Sequence, residues 1–233
     1  MKILHLTLSA FMVGALFLTA CKNTPESDKA VTTEAQEVTT AEAGNVYKVD
    51  PNGSAVEWIG SKVTAIHSGT LAIKDGTVIV TEGSLTGGKF TLDMKSIAVT
   101  GPQGSDAGMN DKLRGHLLSP DFFDATSYPE SIFEITKVAP FSGTVSDPED
   151  PRQADLNKYR VADPSHTISG NLTLKNITKN IEFPAKITVT ESGVEAIAKF
   201  NIDRSQWNVT YPGKPDDLIR NEIHLGIALK ATE

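Results

Sequence analysis

Four histidines lie beyond residue 45: His67, His116, His166 and His224. None stands three to five residues from another, so the chain holds no local pair spaced for a metal ion. No nucleophile elbow of the form G-x-S-x-G and no H-E-x-x-H occurs. Gly83-Ser84-Leu85-Thr86-Gly87-Gly88-Lys89 has the spacing of a phosphate loop, yet Phe90 follows where a magnesium-binding hydroxyl should stand. That stretch also leads into a strand pattern, so no helix N-terminus would back a phosphate. Its glycines suit a hairpin with a bulge. Asp121 and Asp124 flank Phe122-Phe123 and are read as solvating groups, not as a catalytic pair of carboxylates. The N-x-[ST] sites at Asn52, Asn171, Asn176 and Asn208 are read as by-products of Thr-rich strands. Acid, base, nucleophile and metal are therefore not assembled by spacing, and no enzyme and no cofactor is expected.

The only cysteine stands at Leu18-Thr19-Ala20-Cys21, after an apolar run from about Leu6 to Leu18 that Lys2 precedes. A charged start, a short apolar stretch and small residues make a secretory leader, too short to span a bilayer. Its end resembles the lipobox of bacterial lipoproteins. The resemblance implies cleavage after residue 20, thioether attachment of a diacylglycerol to Cys21, and acylation of the new amino terminus. A second acyl chain matters because one gives only marginal membrane binding, at about 0.8 kcal/mol per buried CH₂. Cys21 is thus expected as a lipid anchor in a bacterial cell envelope, on the periplasmic or surface face of the outer membrane. A lone cysteine also excludes an internal disulfide.

The 233 residues carry 22 Lys and Arg against 29 Asp and Glu, a net charge of −7. That balance lacks the basic footprint of a nucleic-acid binder. With 39% hydrophobic residues the chain can build a core. Residues 21–45 contain no aromatic side chain and five acids, too little apolar surface to offset ordering entropy, so a disordered tether is expected there. One domain should then occupy residues 46–233.

Within it, period-two alternation dominates. Phe90, Leu92 and Met94 alternate with Thr91 and Asp93; Ile168, Leu172 and Leu174 with Asn171 and Thr173. Ile181, Phe183, Ala185 and Ile187 alternate with Glu182, Pro184 and Lys186; Ile223, Leu225 and Ile227 with His224. His224 should accordingly point outward into solvent. Asp75-Gly76, Asn176 and Glu191-Ser192-Gly193 read as hairpin turns. About eight strands result, with no βαβ spacing, and one short helix capped by Asn110 or Asp111 and ended by Ser119-Pro120. An all-β antiparallel fold is expected, whose strands either close on themselves or pack in pairs. Closure removes exposed edges, and eight strands enclose room for side chains or one small ligand. Residues 141–166, with Pro148, Pro151, Pro164 and five acids, should form a mobile, dispensable surface excursion.

The remaining signal is apolar. Trp58, Phe90, Leu92, Phe122, Phe123, Phe133, Leu172, Leu174, Phe183, Phe200, Ile202, Trp207, Ile223 and Leu225 either fill a core or line a slot for a long apolar ligand. Arg204, His116 and Arg114 are the polar groups available to fix its head. Composition leaves core and slot both open.

Several stretches resemble one family, the YceI-like polyisoprenoid-binding proteins. Ser54-Ala55-Val56-Glu57-Trp58, Leu85-Thr86-Gly87-Gly88-Lys89-Phe90 and Leu113-Arg114-Gly115-His116-Leu117 are similar to its motifs. So are Ser119-Pro120-Asp121-Phe122-Phe123-Asp124 with Tyr128-Pro129, Ser169-Gly170-Asn171-Leu172-Thr173-Leu174, and Phe200-Asn201-Ile202-Asp203-Arg204-Ser205-Gln206-Trp207. These occur in collinear order from Tyr47 to Thr232. The resemblance implies an all-β, eight-stranded antiparallel lipocalin-like β-barrel with an elongated cavity holding a polyisoprenoid chain of the quinone or prenyl-phosphate type. The expected function is lipid binding without catalysis by a membrane-tethered lipoprotein, and a homodimer stays open. A protein-docking lipoprotein acting through the acidic loop is the alternative.

Overall fold

The computed structural model describes residues 24–38, 44–102, 104–143 and 153–233. The leader (residues 1–20) and Cys21 lie outside the described residues. In chain order the strands are β1 Val31–Glu34, β2 Asn45–Val49, β3 Ala55–Ser61, β4 Ile66–Thr81, β5 Ser84–Gly101, β6 Glu130–Pro140, β7 His166–Leu174, β8 Ile177–Thr190, β9 Gly193–Asp203, β10 Gly213–Lys214, β11 Asp217–Leu218 and β12 Glu222–Thr232. Helix α1 spans Ala107–Leu118 and α2 Gln153–Tyr159.

Eight staves close an antiparallel barrel. β2 and β3 are two halves of one stave, since both pair with β4 on one side and β12 on the other. From there the order runs β4, β5, β6, β7, β8, β9 and back to β12. The expected lipocalin-like barrel forms, for the expected reason: each strand has one apolar face, and closure leaves no edge to cover.

Local signals were read less well. β4 runs straight through Asp75-Gly76, which is a bulge site and not a hairpin. The turn lies at Glu82-Gly83, whose φ angles of 52° and 75° suit a tight β4–β5 connection. Gly76 serves a close approach instead: a Cβ there would stand 2.5 Å from that of Phe90. Helix α1 starts earlier than Asn110, capped by the Asp106 carboxylate, which accepts from the Met109 N–H at 3.0 Å.

The tether is the main departure. β8 pairs with β9 only from Ala185 and Ala198 onward to their shared turn. On the other side of that point the two strands splay, and residues 28–34 fill the gap. β1 pairs antiparallel with β8 from Val31↔Glu182 to Glu34↔Lys179. The Ala30 N–H donates to the Asn201 carbonyl at 2.9 Å, and the Asn201 N–H to that of Asp28 at 2.7 Å. The Asn201 side chain donates to the Pro25 carbonyl at 2.9 Å, and Asn171 to that of Gln36 at 2.7 Å. Residues 24–38 are therefore laid on the barrel, not disordered. Composition misjudged them because a ladder and two asparagines hold them, with little apolar burial required.

The C-terminal part of the 141–166 excursion, from Asn157 to Ser165, is also docked. Lys199 donates to the Asn157 carbonyl, Ser27 to that of Tyr159, and Arg160 pairs with Glu26. Val161 is buried, and Ser165 bonds to Ala185 and Ile187. This corrects the expectation of a wholly mobile loop. It also explains His224, which points outward yet is only 4% exposed. Its Nδ1 meets Asn201 Oδ1 at 2.8 Å, and the Tyr159 ring packs edge-on against it at 5.4 Å. Burial, with Lys199 nearby, pushes its pKa down to about 4, so the solvated reading is overturned.

Candidate functional site: a cavity in one half of the barrel

The barrel interior is filled at one end and hollow at the other. Ile73, Val78, Val80, Ile135, Ile187, Val194, Leu229 and Ala231 pack into a closed core. Towards α1 and the β10–β11 hairpin the inward faces stand apart and enclose a cavity of about 820 Å³. Cavities of roughly 300–1,000 Å³ are typical of small-molecule sites.

Every residue expected to line a slot borders this cavity except Trp207. Phe90 and Leu92 come from β5, Phe133 from β6, Leu172 and Leu174 from β7, and Phe183 from β8. Phe200 and Ile202 on β9 face Ile223 and Leu225 on β12, Trp58 projects from β3, and Phe122 and Phe123 follow α1. Val56, Met94, Leu113 and Ile181, not among the expected lining residues, also border it. Trp207 is fully buried away from it, its indole N–H donating to the Leu172 carbonyl at 2.9 Å. An indole needs an acceptor when buried, and that bond places the ring in the core.

Two glycines help keep the lumen open. A Cβ on Gly69 would come within 2.6 Å of the Trp58 ring, and one on Gly170 within 2.2 Å of the Phe133 ring. The rings can lie back against the wall only because no side chain stands there.

The polar candidates divide. Arg114 faces away: its Nε and Nη2 donate to the Ile97 and Lys95 carbonyls at 2.9 Å each, bracing α1 on β5. It is not a head-group residue. Arg204 lines the cavity but is 3% exposed. Its guanidinium donates to the carbonyls of Arg220, Val209 and Tyr211, and its face lies 5.8 Å from the centre of the Phe122 ring. Burial holds its pKa below the ordinary value. The fork is engaged in holding the 204–220 connection. His116 lines the mouth, with Nε2 3.0 Å from Asp121 and its ring edge-on to Phe122 and Tyr211.

Sequence reasoning missed His67. It lies on the inward face of β4, two residues before Gly69, which pairs with Trp58. Burial, reinforced by the neighbouring Lys62, lowers its pKa and keeps the ring neutral near pH 7. No group of three or more His, Cys, Asp or Glu fit to hold a metal occurs among the described residues.

A family profile described as the YceI-like domain matches residues 47–231. The fold is similar to that of Burkholderia cenocepacia BcnA, with a TM-score of 0.57 at 19% identity over 79% of this chain and 99% of that one. It is also similar to a polyisoprenoid binding domain from Saccharophagus degradans implicated in plant cell wall breakdown. There the TM-score is 0.52 at 12% identity, over 80% of this chain and 97% of that one. No curated protein sequence matches significantly.

Proposed function

The chain belongs to the YceI-like family, and on that premise we propose that it binds a long-chain polyisoprenoid amphiphile without transforming it. The observation that carries the reading is the half-hollow barrel: about 820 Å³ lined by phenylalanine, leucine and isoleucine side chains and open beside α1. An isoprenoid tail leaving water for such a wall gains about 25 cal/mol per Å² of buried apolar surface. The polyisoprenoid-binding character of the Saccharophagus domain points the same way. Catalysis would need convergent acid, base or metal groups. Arg204 is instead engaged by backbone carbonyls. In the same proposal Cys21 carries the acyl chains that hold the protein to an envelope membrane, as Leu18-Thr19-Ala20-Cys21 suggests.

The test is mass spectrometry of lipid extracted from protein purified without detergent, with thermal unfolding in the presence of a long-chain isoprenoid quinone. A ligand that binds only the folded state raises the midpoint. Protein that carries no polyisoprenoid and shows no shift would overturn the reading. For the anchor, Cys21→Ala should leave the membrane fraction.

A further inference from the structure

We propose that the lipid head accepted at the mouth is uncharged, an oxygen in a hydroxyl or carbonyl, and that Trp58 and His67 are its hydrogen-bonding partners. This rests on the isoprenoid reading above and concerns only the end of the ligand that the tail does not define.

The first observation is where the positive charge has gone. A phosphate or diphosphate head needs several N–H donors turned towards it, each charge-assisted. Among the described residues, three cations border the cavity: Lys62, Arg204 and Lys214. Arg204 directs three N–H groups at backbone carbonyls, and Phe122 lies against its face. Three carbonyl dipoles and the neighbouring Asp203 already answer its charge. Lys62 is ion-paired with Asp217, which also accepts from Thr64. Only Lys214 remains, on an exposed hairpin, and the Asp106 carboxylate shares the rim with it. A diphosphate would have to break the Lys62–Asp217 pair or strip Arg204 from its carbonyls.

The second observation is two polar atoms without partners. Trp58 Nε1 and His67 Nδ1 are both buried and make no well-aligned hydrogen bond within the protein, although the Gly101 backbone stands beside the His67 ring. Both rings border the cavity, and they sit diagonally on the inner faces of β3 and β4. Buried unsatisfied groups are uncommon in native proteins and call for a physical reason. Both nitrogens are turned to the wall, so a ligand oxygen would satisfy them once the two rings rotate towards the lumen. The indole donates only, while a neutral imidazole nitrogen donates or accepts according to its tautomer. A carbonyl or a hydroxyl suits that pair. A dianion beside a donor-only indole and a neutral imidazole does not.

The experiment compares heads on one tail. Affinities are measured by tryptophan quenching or calorimetry for a long-chain prenol, its diphosphate of equal chain length, and a bare isoprenoid hydrocarbon. In the wild type the prenol should bind about five- to tenfold tighter than the hydrocarbon, as one or two net hydrogen bonds would give, and tighter than the diphosphate. Calorimetry on Trp58→Phe and on His67→Leu should each lower the prenol-to-hydrocarbon ratio, whatever happens to absolute affinity. A diphosphate that binds tighter than the prenol would overturn the proposal. So would a ratio that neither substitution changes. Equal binding of all three ligands would overturn the head assignment and leave the tail reading standing, whereas binding of none would remove both.

Discussion

The two halves of the barrel are built from the same strands with the same alternation, yet one is packed and the other hollow. In the packed half, Val194 on β9 is 1% exposed and its neighbours are aliphatic side chains from facing strands. In the hollow half, Phe183 and Phe200 stack at 4.0 Å and Phe90 and Phe133 lie 5.3 Å apart, but these rings line a wall and do not meet across the lumen's full width. The difference lies in what stands beneath the rings and between the strands. Gly170 lets Phe133 recline, and residues 28–34 hold β8 and β9 apart where Ile181 and Ile202 border the cavity. A barrel can thus be stabilised at one end and spacious at the other without changing its sequence pattern.

The rim of the hollow half is where that contrast breaks most severely. Arg204→Ala would leave three carbonyls without their donor and should cost at least about 3 kcal/mol of stability. Chemical denaturation would show it. A normal midpoint with a selective loss of affinity for polar heads would return Arg204 to ligand binding.

Overpacking separates the halves directly. Val194→Trp in the packed half should destabilise by about 1–3 kcal/mol or more. Leu172→Trp should change the stability of the empty protein by less than ~1 kcal/mol, because the ring enters open space. It should also lower affinity for an isoprenoid quinone at least tenfold. Equal destabilisation by both would show that the two halves are alike. Gly170→Ala sharpens the same point: the added methyl would drive the Phe133 ring into the lumen, with a loss of binding exceeding the loss of midpoint.

The one effect confined to acid pH concerns the outer wall. His224 is buried neutral with a pKa of about 4 against an ordinary 6.5. Between those values the unfolded chain binds a proton that the folded chain refuses. The stability contributed by the neutral, buried form is therefore complete above about pH 6.5 and is lost as pH falls towards 4. His224→Gln should flatten that part of the pH–stability curve. An unchanged slope would mean that His224 does not titrate as its burial implies.

Much of this protein was legible from period-two alternation, and the illegible parts share a cause. The inward residues Phe90, Leu92, Leu172, Phe200 and Ile223 were found because a side chain's face follows from its position along a strand. Trp207 was misplaced because its ring followed a hydrogen bond to the Leu172 carbonyl, a partner 35 residues away. Arg114 was misplaced for a similar reason, being drawn to carbonyls of β5. His67 escaped notice because neutrality and burial come from its surroundings, not from its neighbours in the chain. Asp75-Gly76 carries a hairpin signature that a bulge and the approach of Phe90 override.

What the sequence determined by itself is most of the barrel's strands, their inward faces, and the kinship that residues such as Phe122-Phe123 and Trp58 carry. Alternation decides which side of a sheet is apolar, and a barrel follows because that side must be covered. Tertiary structure alone decided how far apart the inward faces stand, which cations were left uncommitted, and that residues 24–38 belong to the wall. Those outcomes depend on distances between residues far apart in the chain. His224, set outward by its strand, is buried by Tyr159 and bonded to Asn201, a placement that no local pattern encodes.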